Sequence, residues 1–477
     1  MLWIGVGRAI AAIVALCSLR AITIFLHPEQ YGELTLLLAV QTFCGLLFVN
    51  PIGQYINLHT HAWWDDGSLF LRLKKYSSYV VLVALIGALF YWLVVNTSAN
   101  DGGALIVLFS VFLVVIAATW NATLIPMLNM LGFRAESVFL GVSTAVLSLL
   151  VSIFFVSWHP SAVAWLWGQV IGLGVGAIAG KYLLQKKTNR LECDELNFSL
   201  INVSTVMSYC LPLAIATSLM WLQLSGYRFV VEHYWGLKKL AFFAIGFQLA
   251  NQIWSLAESL VVQFLYPYFY RRISDADSNE AKVAFSDLLN TLLPVYLLLM
   301  GLSAIGAPYI LRLLVASPFW DGASFLVIGA GVELCRTIAN LLGNAAQITR
   351  RTISLAAPYA VGALFCFVGF FVAGEMQFDI YWAGVIMLFS SVSMLLTMFI
   401  SMYFQVRYEL DVFRFFTSLL ISVLMFITSL YIPVLDGLVE SVMILTLIAT
   451  LGGGMLFLVL WRNPATLRLL TAKLRSR

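Results

Sequence analysis

Charged residues are scarce in this sequence. Asp, Glu, Lys and Arg make up only 10% of the 477 residues, whereas hydrophobic residues make up 61%. Ordinary globular proteins carry about 25% charged and about 45–50% apolar residues. This small amount of polar surface is not enough to cover a water-soluble protein of this size. The composition therefore predicts a protein embedded in lipid. The net charge of +4 gives no indication of nucleic-acid binding.

Motifs for redox, metal or ATP chemistry are also lacking. None of the six cysteines forms a C-x-x-C pair, and no G-x-x-x-x-G-K-[ST] motif occurs, so neither a metal site nor a P-loop is indicated. The predicted loops are short and carry no carboxylate cluster, which a membrane-bound glycosyltransferase or polymerase would usually need. We therefore predict a transporter rather than an enzyme, with no cofactor and no metal.

Long apolar runs dominate the chain instead. A hydrocarbon core about 30 Å thick is crossed by about 20 apolar residues in a helix, and the runs lack the strict alternation of a β-barrel. We predict an all-α polytopic membrane protein with about fourteen transmembrane helices. The predicted spans are 3–26, 33–57, 76–96, 104–129, 137–157, 162–184, 200–222, 241–265, 288–307, 323–344, 353–373, 379–403, 413–432 and 438–461.

Basic residues are distributed unevenly between the predicted loops. If both termini are cytoplasmic, the loops on the extracytoplasmic side contain only four basic residues, Arg228, Lys238, Lys239 and Arg312. Most other Lys and Arg residues then lie in cytoplasmic segments. Cytoplasmic loops of membrane proteins carry such an excess of positive charge. The sequence therefore predicts a multi-pass membrane protein with both termini in the cytoplasm.

Polar side chains recur at helical spacing in two of the predicted spans. In the eighth span they are Gln248, Asn251, Gln252, Ser255, Glu258, Ser259 and Gln263; in the tenth they are Glu333, Arg336, Thr337, Asn340, Asn344 and Gln347. A polar stripe on a lipid-embedded helix predicts a cavity wall, and hydrogen bonding between helices is the alternative. Glu333 and Arg336 are three residues apart, so they can pair on one face, and a pair that merely neutralises itself is the alternative to a functional role.

Four glycines in the sixth span are spaced four residues apart. They are Gly168, Gly172, Gly176 and Gly180. This spacing places them on one face of a helix, where small residues let a second backbone approach closely. We predict that the ridge serves helix packing rather than hinge bending.

Several short passages resemble one family of membrane proteins. Arg20 followed by His27-Pro28-Glu29-Gln30-Tyr31-Gly32 resembles the "R-x-L-x-P-E-x-Y-G" motif of bacterial polysaccharide-repeat exporters. The passage from Tyr227-Arg228 to Gln248 is similar to the family's junction between helices seven and eight, although the family often has aspartate in place of Tyr227. The chain thus resembles the multidrug/oligosaccharidyl-lipid/polysaccharide (MOP) flippase superfamily and, within it, Wzx-type flippases of O-antigen or exopolysaccharide repeat units.

The resemblance implies an architecture and a function. It implies two parallel-repeat six-helix lobes around a central cavity, over residues 1–190 and 191–403, with two further helices and a basic tail in 404–477. The function implied is translocation of undecaprenyl-diphosphate-linked oligosaccharides from the cytoplasmic to the outer leaflet of the bacterial inner membrane by alternating access. A polysaccharide polymerase and a chain-length regulator are implied partners, besides the bilayer. A multidrug exporter of the same superfamily and a repeat-unit polymerase or ligase are the alternatives.

Specific residues are predicted to carry this function. The predicted cavity residues are Arg8, Arg20, Gln248, Asn251, Gln252, Ser255, Arg336 and Asn340. The arginines would hold the diphosphate by charge-assisted bonds, and the amide and hydroxyl groups would contact the sugars. Glu258 and Glu333 are the candidates for coupling transport to an ion.

Overall fold

The chain is helical throughout the part that a computed structural model describes, residues 2–95, 101–187, 203–273, 278–349, 352–431 and 437–471. These ranges contain α-helices and short π- and 3₁₀-helical turns but no β-strand. In lipid, a helix satisfies its backbone hydrogen bonds within one segment. The predicted all-α fold is therefore confirmed.

The helices fall into two compact units, Met1–Lys238 (unit 1) and Lys239–Arg477 (unit 2). Unit 1 contains α1 (Leu2–Phe25), α2 (Pro28–Phe43), α3 (Asn50–Asp65), α4 (Leu69–Val95), α5 (Asp101–Met130), α6 (Arg134–Trp158), α7 (Ala162–Lys187), α8 (Val203–Trp221) and the beginning of α9 (Tyr227–Phe264). Unit 2 contains the rest of α9, α10 (Tyr266–Ile273), α11 (Ser278–Leu314), α12 (Ala323–Ile348), α13 (Ala356–Glu375), α14 (Ile380–Val406), α15 (Val412–Tyr431), α16 (Leu438–Trp461) and α17 (Pro464–Thr471). The predicted lobe boundary between residues 190 and 191 lies outside the described residues, and the division at 190 and 403 stays a prediction.

Twelve stretches within the described ranges are long and apolar enough to cross a membrane, and α1 adds the shorter apolar stretch Ile10–Phe25. The longest, Val206–Phe264, has 59 residues and overlaps two of the predicted spans, 200–222 and 241–265. It changes direction at Gly236, whose φ of 79° and ψ of 169° are readily adopted by glycine alone. With that bend, the helices account for the predicted spans, and the multi-pass membrane architecture is confirmed.

A π-helical turn joins α2 to α3 over Cys44–Val49. Such a turn disrupts the regular backbone hydrogen bonding, which lipid cannot replace. Two side chains supply the missing bonds: Thr217 Oγ1 on α8 donates to the Leu46 carbonyl at 2.7 Å, and the Tyr79 hydroxyl on α4 donates to the Phe48 carbonyl at 3.0 Å. The irregular turn is thus tied to α8 and α4 by side-chain hydrogen bonds.

The glycine ridge on α7 packs against α6. A Cβ added at Gly168 or Gly172 would overlap the backbone of Ser152 or Ser148, and one at Gly176 would overlap the Thr144 side chain. The Ser152 hydroxyl donates to the Trp165 carbonyl at 3.0 Å across the same contact. The glycines therefore allow the two backbones to touch, and the predicted packing role agrees with this geometry.

A buried carboxylate ties three helices together in unit 2. Asp287 on α11 is 1% exposed. It accepts hydrogen bonds at 2.9 Å from Arg272 Nη1 on α10 and from Arg468 Nε on α17. A carboxylate removed from water needs such counter-ions. The two short helices α10 and α17 are thereby fixed to α11.

Candidate functional site

One guanidinium bridges two carboxylates on neighbouring helices of unit 2. Arg336 Nε on α12 donates to Glu333 Oε2, one turn earlier on the same helix, at 2.5 Å. Arg336 Nη2 donates to Glu258 Oε2 on α9 at 3.0 Å. The two polar stripes predicted from the sequence therefore face each other at this point, and the local Glu333–Arg336 pair is part of a larger group.

Two amides complete this group of ionised side chains. Asn251 Nδ2 donates to Glu333 Oε1, and Asn340 Nδ2 donates to Glu258 Oε1, each at 3.1 Å. Every carboxylate oxygen therefore accepts a hydrogen bond from this group, which satisfies part of the cost of desolvating the charges. We call Asn251, Glu258, Glu333, Arg336 and Asn340 the α9–α12 cluster. Two carboxylates against one guanidinium leave it with one formal negative charge.

A cavity of about 410 Å³ adjoins the cluster. Its lining comes from α9 to α13 and the turn before α13: Glu258, Val261, Val262, Tyr266, Tyr270, Tyr296, Thr337, Ala339, Asn340, Gly343, Asn344, Leu355 and Tyr359. We call this the tyrosine cavity. Small-molecule sites have volumes of about 300–1,000 Å³ and combine aromatic walls with a few polar groups. The volume of the tyrosine cavity falls in this range, and its lining combines tyrosines with two asparagine amides.

Hydrogen bonds fix the polar groups of the tyrosine cavity. Asn344 accepts a bond from the Tyr270 hydroxyl at 2.9 Å and donates to the Tyr266 oxygen at 3.1 Å. The Tyr359 hydroxyl lies 3.4 Å from Asn340 Oδ1. Held in this way, the amides and hydroxyls can meet the donors and acceptors of a polar ligand without reorganising.

The described hydrogen-bonded network does not include Gln248, Gln252 or Ser255. Gln248 and Gln252 are half-buried on α9, and Ser255 is exposed on the same helix. Arg20 is half-buried on α1 in unit 1. Arg8 lies in α1, but its side chain is outside the described residues. The joint binding of a diphosphate by Arg336 and these two arginines stays a prediction.

The four tyrosines of the cavity were not among the site residues predicted from the sequence. Tyr296 comes from α11 and Tyr359 from α13, and neither lies on a polar stripe, since each sits alone in an apolar run. In the sequence, each of these residues is visible only as an isolated tyrosine in an apolar span. That pattern does not reveal which helix the tyrosine faces.

Arg228 lies in a helix rather than in the predicted outside loop. It falls in the first turn of α9 in unit 1, where it is half-buried. Its Nη1 donates to the Thr35 carbonyl on α2 at 3.1 Å, and the guanidinium lies 6.0 Å from the centre of the Tyr227 ring. The helix continues past residue 222 because a π-helical turn, Leu222–Gly226, links α8 to α9.

Comparison with known proteins places the chain in a family. The profile described as "Polysaccharide biosynthesis protein" matches residues 10–323, well over half of the sequence. The chain belongs to the polysaccharide biosynthesis protein family. This family match agrees with the resemblance to polysaccharide-repeat exporters. A search of curated protein sequences found no match to this chain.

Solved structures share the fold of this polysaccharide biosynthesis protein. "Lipid II flippase MurJ, inward closed conformation" is similar with a TM-score of 0.66 and 13% identity, over 97% of this chain and 100% of that one. A structure of "MATE in the bent conformation" is similar with a TM-score of 0.51 and 11% identity, over 89% of this chain and 95% of that one. The chain thus shares the fold of these two transporters, which agrees with the resemblance found in its sequence.

Proposed function

We propose that this protein is a flippase that moves undecaprenyl-diphosphate-linked oligosaccharide repeat units from the cytoplasmic to the outer leaflet of the bacterial inner membrane by alternating access. Membership of a polysaccharide biosynthesis family supports the glycan class, and a fold shared with a lipid II flippase and a MATE transporter supports a transport function. We propose both termini in the cytoplasm, with a polysaccharide polymerase and a chain-length regulator as partners.

The observation that carries this proposal is the α9–α12 cluster beside the tyrosine cavity. An ionised group at the centre of a bilayer costs at least about 2.5–3.5 kcal/mol, so such groups are placed where they serve a function. Here two carboxylates and a guanidinium, with Asn251 and Asn340, line up on two apolar helices. A helix bundle that only had to be stable would be better served by apolar residues at these positions.

The lipid-linked substrate divides between two environments. Its polyprenyl tail stays in the hydrocarbon, whereas its sugars and diphosphate need polar partners along the whole path. The amides and tyrosines of unit 2 provide partners for sugars. Arg336 is hydrogen-bonded to Glu258 and Glu333, so a diphosphate can reach its guanidinium only by displacing a carboxylate.

That competition links substrate binding to an ion. If Glu258 or Glu333 takes up a cation, one of the bonds to Arg336 is weakened, and the guanidinium becomes available to the diphosphate. Moving one charge through the membrane potential supplies about 2.3 kcal/mol per 100 mV. Flipping should therefore slow in proteoliposomes when the ion gradients are collapsed, and flipping that continues unchanged would refute the coupling while leaving the flippase function intact.

The main test is a deletion of the gene in its native host. Mass spectrometry should detect undecaprenyl-diphosphate-linked repeat units that accumulate on the cytoplasmic face, and surface glycan should be lost. Glu258→Gln and Arg336→Ala should fail to restore surface glycan although the proteins reach the membrane. Glu409→Gln is the matched control, because it makes the same chemical change on an exposed loop residue.

Other outcomes would identify the alternatives. A deletion strain that displays single repeat units on its surface would indicate a polymerase. Normal surface glycan, together with drug resistance when the protein is overproduced, would indicate a multidrug exporter. Either result contradicts the proposed flippase function.

A further inference from the structure

The described lining of the tyrosine cavity contains one acidic residue and no basic residue. Among the described residues that line it, Glu258 is the one carboxylate, and none is Lys, Arg or His. Arg336 is not one of the lining residues, and its guanidinium is held by Glu258 and Glu333. A ligand in the cavity therefore meets a negative charge that the nearby cation only partly offsets.

The neutral part of the lining suits a carbohydrate. Four tyrosines, Tyr266, Tyr270, Tyr296 and Tyr359, line the cavity, and aromatic rings can pack against the C–H groups of a sugar ring. Asn340 and Asn344 offer amides that bond both donors and acceptors, which matches the hydroxyl and acetamido groups of sugars.

Thr337 adds an independent observation. It lines the cavity and is 1% exposed, and its hydroxyl has no hydrogen-bond partner among the described residues. A buried hydroxyl without a partner costs free energy. Threonine on a helix populates two χ1 rotamers, so the hydroxyl can turn from the protein to a ligand group in the cavity.

We propose that the tyrosine cavity is a sugar-binding subsite that accepts uncharged and amino sugars and rejects sugars that carry a carboxylate or phosphate. Glu258 is the residue that sets this preference, since it presents the cavity's negative charge. The inference rests on the proposed flippase function and adds the class of repeat unit: one whose residue at this subsite is not acidic.

The test measures sugar binding directly on the full-length protein in lipid nanodiscs. Saturation-transfer difference NMR, which detects weak binding, would compare the methyl glycosides of N-acetylglucosamine and glucuronic acid. We expect the wild-type protein to bind the N-acetylglucosamine glycoside at least about tenfold more tightly, because the acidic sugar faces Glu258. In Glu258→Gln this ratio should fall to near one, because binding of the acidic sugar improves.

Two further variants separate recognition from structure. Thr337→Val keeps the side-chain shape but removes the hydroxyl, so it should weaken binding of the N-acetylglucosamine glycoside without lowering the melting temperature. Glu409→Gln, remote from the lining, should leave the ratio of the two sugars as in the wild type. Equal binding of the two glycosides to the wild type, or a ratio that Glu258→Gln does not change, overturns the proposed preference. No binding of either glycoside overturns the subsite itself.

Failure of this inference is distinguishable from failure of the flippase function. If the deletion strain accumulates lipid-linked repeat units inside but the purified protein does not discriminate between the glycosides, the function stands and the subsite is wrong. If sugar binding follows the expected pattern but no lipid-linked units accumulate, the flippase function is wrong.

Discussion

The contact between α6 and α7 and the contact between α9 and α12 solve the problem of helix association in lipid in opposite ways. Along α7 the small residues Gly168, Gly172 and Gly176 bring two backbones together. Along α12 the long side chains of Glu333 and Arg336 reach across to Glu258 on α9. The first contact maximises van der Waals packing, and the second holds ionised groups that lipid cannot solvate.

The difference indicates which contact serves stability and which serves function. A glycine ridge makes a close contact without any polar group that a ligand could use. The α9–α12 cluster costs desolvation energy and lies beside a cavity of about 410 Å³. Changes in the ridge should therefore alter stability, whereas charge-neutralising changes in the carboxylates should mainly alter transport.

The largest expected effect on this comparison comes from Arg336→Ala. It leaves Glu258 and Glu333 facing each other without their cation, and breaking a buried ion pair costs about 3–5 kcal/mol. The free energy of unfolding, measured by SDS titration in mixed micelles, should fall by about that amount. The variant with Glu258→Gln, Glu333→Gln and Arg336→Gln together should recover most of the loss, and a triple variant as unstable as the single one would contradict the charge argument.

Gly172→Leu should break the other side of the comparison. Its side chain would overlap the hydroxyl and backbone of Ser148, and overpacking of this kind costs about 3 kcal/mol when the backbone must move. We expect a lower yield of folded protein by size-exclusion chromatography. The melting temperature from a thermal unfolding scan should also fall. Gly174→Leu is the control on the same helix, because nothing lies within 4 Å of its added Cβ; equal loss in both variants would refute the ridge.

Asp287→Asn sharpens the comparison with a carboxylate that does not line the tyrosine cavity. Asp287 binds Arg272 and Arg468, and both arginines keep contact with solvent, so the loss should be smaller, about 2 kcal/mol. We expect a lower melting temperature. At temperatures where the variant is fully folded, its sugar binding should equal that of the wild type. Loss of sugar selectivity in this variant would show that the cavity depends on the α10–α11–α17 contacts.

The smallest effect is expected at the exposed pair of Lys282 and Glu409. The hydrogen bond from Lys282 lowers the pKa of Glu409 below its ordinary value of 4.5. The pair therefore stabilises the fold above pH 4.5, and this contribution is lost as the pH falls through the lowered pKa. Glu409→Gln should lower the melting temperature slightly at pH 7 and not at pH 3; a difference that persists in acid would contradict the assignment.

Much of the fold could be predicted because its signals are local. The apolar runs gave the spans, and the four-residue spacing of Gly168 to Gly180 gave the packing face of α7. The polar faces of α9 and α12 were visible for the same reason, since residues three or four apart share one side of a helix. The extension of α3 to Asp65 and the helical position of Arg228 were missed, because polar residues at a helix end resemble a loop.

The sequence by itself determined that the chain lives in lipid, that it is helical, and that α9 and α12 each have a polar side. It also determined the Glu333–Arg336 pair, because both residues lie on one turn. Only the tertiary structure decided that Arg336 also donates a hydrogen bond to Glu258, 78 residues away. This second carboxylate gives the α9–α12 cluster a formal negative charge. The tertiary structure likewise decided that Tyr296 and Tyr359 meet at one cavity, because periodicity fixes the face of a helix but packing fixes its neighbour.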